Sequence, residues 1–386
     1  MTTAATLEAA VAALEQVYPP RWADEGDAVG LVVGRPSAGV RRVLFAVDPV
    51  QAVVDEAISM QADLIVAHHP LLYRPVSSVA ATSPKGRVIH DLISHSVALY
   101  VAHTNADSPP GGVSESLALA LGLHDIRPLR PHPVDPLDKV VTFVPRDAAD
   151  AMVDALAAAG AGAIGDYDRC AFVSSGRGTF RAGVDANPAI GTPGEVEVVE
   201  ETRVEMVAPR GRRDDIVSAL RAAHPYEEAA FDVLELAGWS AERGAGRIGT
   251  LAQSMTLKQF ADSAATALPA TAVGARVSGD LDKQVRTVAV AGGAGDFLLG
   301  DARAAGVDVY VTSDLRHHPA SEFREDDEAP ALVDVPHWAA EWTWLPVVSS
   351  SLAEALESRG SRVEVAVSRL CTDPWNYRSF GAATSA

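Results

Sequence analysis

Residues 64–70 read LIVAHHP: four apolar residues, two of them β-branched, then two histidines and a proline. A short apolar run closed by a proline predicts a buried strand with a defined stop. The neighbouring sequence repeats the device. Residues 43–47 (VLFAV) form a strand candidate and 52–60 (AVVDEAISM) carry helical spacing. Residues 86–95 are again helical, and 98–102 (ALYVA) make the next strand, running into His103-Thr104-Asn105-Ala106-Asp107. Alternation of strand and helix predicts a parallel sheet with helices on its faces. Ligands of such sheets gather at the carboxyl ends of the strands, and both histidine-bearing stretches fall there.

The last third alternates in the same way. Residues 285–291 (VRTVAVA) lead into Gly292-Gly293-Ala294-Gly295-Asp296, read as a tight turn because it lacks the Lys-Ser/Thr of a phosphate loop. Residues 307–312 end in Ser313-Asp314, and 331–335 end in Pro336-His337 before a helix. Between the outer thirds, 127–137 (RPLRPHPVDPL) holds four prolines and reads as a linker, since proline continues neither a helix nor a central strand. Beyond it come a strand (139–145), a helix (148–159), a second strand (203–209) and a second helix (214–224), the pattern of a ferredoxin-like split βαβ module. A glycine-rich, polar stretch at 237–249 marks the second boundary. The expected fold class is therefore α/β: two similar α/β halves with mixed, largely parallel sheets (1–130 and 247–386) and an inserted ferredoxin-like α+β module (137–236).

Composition narrows the function. A net charge of −19 repels nucleic acid and anionic membranes. Two cysteines, Cys170 and Cys371, form no metal or redox motif and fit a reducing compartment. The N-terminal stretch 1–20 lacks a basic region and a long apolar run, so it reads as an amphipathic helix ending at Pro19-Pro20 and not as a signal peptide. No run reaches the about 18 apolar residues of a membrane span. The expectation is a cytoplasmic protein with no membrane partner.

Chemistry is concentrated at the strand ends. Adjacent side chains diverge, so His68-His69 can serve two ions, or can be two polar residues of a loop. His337 and Glu341, spaced i, i+4, share a helix face if Pro336 stands at the helix start. Asp107 closes a third strand end. Together these ends supply three histidines and two carboxylates with no sulfur, a set suited to Zn, Fe(II), Mn or Co. Five donors do not saturate two ions, and open positions are the mark of a catalytic site. His103, Asp314, His317 and His318 flank the donors; each can transfer protons or orient ligands by hydrogen bonds, and Asp314 reads better as support.

These residues resemble the Nif-three-like dinuclear-metal proteins, the GTP cyclohydrolase 1 type 2 homologues. The resemblance rests on DAVGLVVG (27–34), AHHPLLY (67–73), HTNAD (103–107), SDLRHH (313–318) and DVPHWAAE (334–341). In the middle it rests on GAGAIGDYDRCAF, GRGTF and HPYEEAAFD, which resemble the PII/CutA-like insert of longer members. It implies metal ligands at His68, His69, Asp107, His337 and Glu341, with Glu341 bridging two divalent ions per subunit, and a homohexamer. Ser313, Pro336 and the Ser114-Glu115 pair depart from the family pattern without removing a ligand. The implied activity is a metal-dependent hydrolase acting on a small molecule, with GTP opened to dihydroneopterin triphosphate and formate; His103 and His318 are the first candidates for catalytic proton transfer. A phosphoesterase, or a metal-carrying or regulatory hexamer without catalysis, fits the same donors.

Overall fold

The computed structural model describes residues 4–379. The N-terminal helix is Leu7–Val17, capped by Thr6, whose hydroxyl accepts from the Ala9 N–H at 3.2 Å. The first three residues of the stretch read as helix lie outside the described residues. Two compact units are present, Met1–His132 with Glu242–Ala386, and Pro133–Ala241.

The first unit contains two larger sheets. One runs, in spatial order, Glu364–Val367, Arg42–Ala46, Leu64–Ala67, Ala98–Val101 and Gly30–Val33. Its first four strands are parallel and the last is antiparallel. Leu64–Ala67 is central and buried on both faces, which is why it reads as continuous apolar sequence and not as an alternation. Leu44, Ile65 and Leu99 pack against the helices Gln51–Ser59 and Pro84–Ser94. Phe45, Val66 and Tyr100 point the other way, into a core shared with Leu7–Val17, Leu345–Ser358 and the second sheet.

The second sheet runs Arg276–Ser278, Ala331–Asp334, Val309–Ser313, Gln284–Ala294, Ser240–Thr256 and Leu123–Pro133. Ala331–Asp334, Val309–Ser313 and Gln284–Ala294 are parallel, flanked by antiparallel neighbours. The fold is thus α/β with mixed sheets. The proline-rich stretch, expected to be a linker from 127, is a strand as far as Pro133. It lies at the sheet edge, where an absent N–H on the outer side costs no ladder bond. The glycine-rich stretch at 237–249 likewise enters the strand Ser240–Thr256. The two sheets also do not follow the two ends of the sequence. Glu364–Val367 returns to pair with Arg42–Ala46, and Leu123–Pro133 leaves the first half to join the second sheet. No helix among the described residues is long and apolar enough to cross a membrane.

The second unit is a four-stranded antiparallel sheet, Phe231–Glu235, Leu137–Pro145, Val196–Pro209 and Ala171–Arg181 in spatial order. Along the chain its elements succeed one another as β-α-β-β-α-β. The helices Ala149–Ala158 and Arg213–Ala223 join Val140, Val144, Val204 and Met206 in one core. At the start of Leu137–Pro145 the Asp138 carboxylate, 1% exposed, accepts from Arg210 Nε at 3.0 Å and from Arg213 Nε at 2.7 Å. The Arg213 hydrogen bonds, with those of Arg210, hold Asp138 below the usual carboxylate range although burial acts the other way. Asp138→Asn keeps the volume and removes the acceptor charge, so it should lower stability by about 1–3 kcal/mol. Thermal unfolding checks this, and an unchanged midpoint would show that the two arginines do not pin strand to helix.

Candidate metal centre

Each side chain of the cluster sits where a strand of the first unit stops. The ladder beside Leu64–Ala67 continues one step further, with the His68 N–H donating to Ala46 O at 3.1 Å and the His69 N–H to Val47 O at 2.8 Å. The backbone of the pair is therefore fixed before its side chains diverge. His103 follows Ala98–Val101, and Asp107 ends the single turn Thr104–Asp107. His337 opens the short helix His337–Trp342 behind Pro336, so Glu341 stands one turn later on the same face.

Four imidazoles converge, and each is held by Nδ1. His68 Nδ1 donates to Ala102 O at 2.8 Å. His69 Nδ1 lies 2.7 Å from Asp48 Oδ1, and His337 Nδ1 lies 2.6 Å from Asp314 Oδ2. His103 Nδ1 lies 2.9 Å from the Asp27 carboxylate. This backing fixes ring orientation and leaves Nε2 as the free donor. The Nε2 atoms of His68, His69 and His337 lie 3.4, 2.9 and 2.7 Å from the oxygens of Glu341, which is 3% exposed. Asp107 Oδ1 is 3.6 Å from His68 Nε2. The His103 ring stands 5.2 Å from that of His68 and 5.6 Å from that of His69. Trp344, fully buried, packs edge-on to His68 at 5.4 Å and closes the apolar side.

The electrostatics follow from Glu341. Burial disfavours its charge, but His69, His68 and His337 outweigh burial and hold it well below the usual carboxylate range. Burial also opposes charge on His69 and His337; Glu341 with Asp48 pushes His69 up to about 10, and Glu341 with Asp314 pushes His337 up to about 11. Desolvation raises Asp107 to about 7, against the lowering effect of His68. Burial and the neighbouring His68 lower His103, with Asp27 opposing.

Among the described residues two groups have the spacing to hold a cation: His68, His69 and His103, and His69, His337 and Glu341. The donors fit a transition-metal ion. His68 Nε2 is buried without a hydrogen-bond partner, and buried Glu341 Oε2 has only the His69 ring against it at 2.9 Å; a nitrogen–oxygen-ligated cation would satisfy both. The fold thus brings His68, His69, Asp107, His337 and Glu341 together and adds His103 to them. His318 is exposed on His317–Arg324, and its ring contact is with His317, 5.2 Å away.

Several residues escaped the sequence reading. Asp48 stands directly after the strand Arg42–Ala46 and its neighbour Val47, where the strand-end rule that selected His68 also points. Asp27 precedes Gly30–Val33, and because that strand is antiparallel its beginning lies beside the other strands' ends. Gly293, read as part of a turn, lies within Gln284–Ala294 at φ +70°, and a Cβ there would fall 2.7 Å from Glu341 Oε1. Arg247 is 1% exposed; its NH2 donates to Ser108 O at 2.9 Å and Pro109 O at 2.7 Å, tethering the loop after Asp107 to the strand Ser240–Thr256.

A mixed α/β scaffold with a histidine–carboxylate cluster at its strand ends is the class defined so far. The sequence comparisons give the family. Residues 5–374 match the profile of Duf34/NIF3 (NGG1p interacting factor 3), and the chain belongs to that family. A Mycobacterium tuberculosis relative, named GTP cyclohydrolase 1 type 2 homolog, is 49% identical over 94% of each chain. A Bacillus subtilis relative of the same name is 39% identical over 94% of this chain and 96% of its own. The solved structure of a Bacillus cereus protein related to NIF3 is 38% identical with a TM-score of 0.78, over 97% of this chain and 99% of that one. Staphylococcus aureus SA1388, 28% identical, superposes with a TM-score of 0.80 over the same shares.

The raised histidines give a pH signature for protein stripped with a chelator. Their stabilisation is complete below the unfolded histidine value of about 6.5 and is lost as pH rises through the folded values. That of Glu341 is present above its unfolded value of about 4.3 and is lost only in acid. The thermal midpoint of chelated protein should therefore fall steadily from about pH 7 to about pH 10. His337→Gln should flatten that slope, and an equal slope in the variant would show that the cluster does not set it.

Proposed function

We propose that His68, His69, Asp107, His337 and Glu341 hold two divalent ions, with Glu341 between them, and that the protein is a metal-dependent hydrolase of a small molecule. The observation that carries this reading is the shared posture of the histidines: Nδ1 backed by Asp48, Asp314 or Ala102 O, Nε2 turned to a buried carboxylate. A storage role needs donors but no adjoining space. Here a cavity of about 580 Å³ abuts His69 and His337, with Trp338 and Trp375 among its walls. That is the size of a small-molecule site.

When bound, such ions act as Lewis acids and make water nucleophilic at neutral pH. The protein's own residues do the rest. Asp48 and Asp314 fix the His69 and His337 rings, so the donors need not reorganise. Asp27 accepts from His103 Nδ1 and leaves Nε2 as the basic nitrogen, facing the cluster; burial keeps it unprotonated at neutral pH and ready to take a proton there. Trp344 keeps water from the back of His68. GTP is the first substrate to test, because the relatives carry the name GTP cyclohydrolase 1 type 2 homolog. Phosphoesters follow, since bound ions would supply the same Lewis-acid chemistry toward them. The family resemblance also supports a homohexamer in the cytoplasm; a monomer of 40.4 kDa by light scattering would end the former proposal.

Protein purified without chelator should contain about two transition-metal ions per chain, by elemental analysis. Glu341→Gln should retain one ion far more tightly than the other, because the neutral amide no longer offsets the repulsion of two cations. A screen over nucleotides and phosphoesters with Zn, Mn, Fe(II) and Co, using His69→Ala as control, tests the activity. Full metal content with no turnover of any substrate would favour metal carriage or regulation.

A further inference from the structure

The second unit contains a cavity that the metal centre leaves unexplained, and the motifs GRGTF and HPYEEAAFD build it. The helices of this unit cover the face of the sheet bearing Val140, Val144, Val204 and Met206. By register and alternation, Phe143, Gly178, Phe180 and Glu201 share the opposite face. A cavity of about 400 Å³ opens there, walled by Phe143, Phe180, Tyr226 and Ile190.

Its polar groups are placed by specific devices. Gly178 lies inside the strand Ala171–Arg181, where glycine marks a close approach. A Cβ at that position would fall 2.0 Å from Glu201 Oε2. The bare glycine therefore lets the Glu201 carboxylate lie across the strand. His224 is buried and locked: Nε2 donates to Phe143 O at 3.0 Å and Nδ1 accepts the Tyr226 N–H at 3.1 Å. That fixes Tyr226 in the wall, with its hydroxyl buried beside Glu201. Burial and the nearby Glu201 push this phenol up to about 12, so it remains a neutral donor. Glu227 accepts from the Asn187 N–H at 3.0 Å and ties the loop carrying Ile190 over the cavity.

We propose that this cavity is a second ligand site that takes a small organic cation, a protonated amine on an apolar or aromatic body, against Phe143, Phe180 and Tyr226 with Glu201 as its charge partner. Three carboxylates, Glu201, Glu227 and Glu228, and one arginine, Arg181, line the cavity, while Arg203, paired with Glu205, covers one face of the Phe143 ring at 5.9 Å, so the lining is net negative. Aromatic faces stabilise an organic cation and offer nothing to replace the hydration shell of a metal ion. The groups of the described residues with metal-binding spacing lie in the first unit. The site is independent of the reading proposed for the metal centre.

Calorimetric titration of the full-length protein with phenethylamine, and with 2-phenylethanol as its uncharged analogue, tests the assignment. The amine should bind at least about tenfold more tightly, the scale of one charge-assisted hydrogen bond. Glu201→Gln should remove that preference while leaving 2-phenylethanol binding unchanged. Gly178→Ala should weaken the amine by displacing the carboxylate, with Tyr226→Phe as a milder loss. Metal content and thermal midpoint, measured on each variant, separate loss of the site from loss of fold. Equal affinity for amine and alcohol, an undiminished preference in Glu201→Gln, no binding of either probe at millimolar concentration, or displacement of the amine by Zn or Ca would each overturn the proposal.

Discussion

A carboxylate buried among imidazoles is the constraint around which the first unit is arranged. Glu341 keeps 3% exposure, and a charge so placed is stable only with positive charge against it. Protons on His69 and His337 or divalent ions can supply that charge, and the two compete for the same Nε2 atoms. Each ring needs its own backing acceptor at Nδ1, so Asp48 and Asp314 are required as well. Asp314 adopts φ +57° to provide its oxygen, a conformation costly for a residue with a Cβ and typical of positions held by function. Gly293 must stay bare for the Glu341 carboxylate to lie where it does.

The interleaving of the chain serves the same end. The ends of Leu64–Ala67 and Ala98–Val101 come from one sheet, and those of Val309–Ser313 and Ala331–Asp334 from the other. A donor set drawn from both is only as rigid as the packing between them. Glu364–Val367 returns to the first sheet after Leu345–Ser358, whose Val348 and Leu352 enter the shared core. Arg247 adds a polar tie on the other side, donating to both the loop after Asp107 and its own strand. These long-range closures slow folding, since distant segments must meet before either sheet is complete, but they hold ligands far apart in sequence in one geometry.

How much of this the sequence discloses depends on which physical signal a residue leaves. Leu64–Ala67 and His68-His69 are legible because a fully buried parallel strand is apolar throughout and its end is abrupt. His337 and Glu341 are legible from helical spacing. Edge strands leave a weaker signal: Leu123–Pro133 contains prolines that a central strand would exclude, and the overlapping stretch 127–137 reads as a linker for that reason. Gly293 illustrates a different limit. A glycine needed for close approach looks the same in sequence as one needed for a turn, and only the position of Glu341 distinguishes them. Asp27 was hidden because the strand-end rule applies to parallel strands, and its strand runs the other way. The role of Gly178 was hidden for the same reason as that of Gly293.

On the proposed reading, charge in the cavity beside the centre is itself a filter. Asp48, Asp314, Asp334 and Asp373 line it, and Arg276, paired with Asp334, is the arginine among its walls. Asp48 and Asp314 are turned to the histidines, but their charges still act at this range, for a partly enclosed site screens less than open water. Without divalent ions the four carboxylates are offset only by Arg276 and by the protons on His69 and His337, so the lining has no strong pull on phosphate, and the chain's net charge of −19 opposes its approach. Glu341, Asp107 and the imidazoles would hold two divalent ions there, and such ions would make the field positive where a substrate meets the centre. Ion loading would then control admission as well as chemistry, so an anionic substrate and the metal should bind cooperatively, while a neutral substrate would bind nearly as well without the ions.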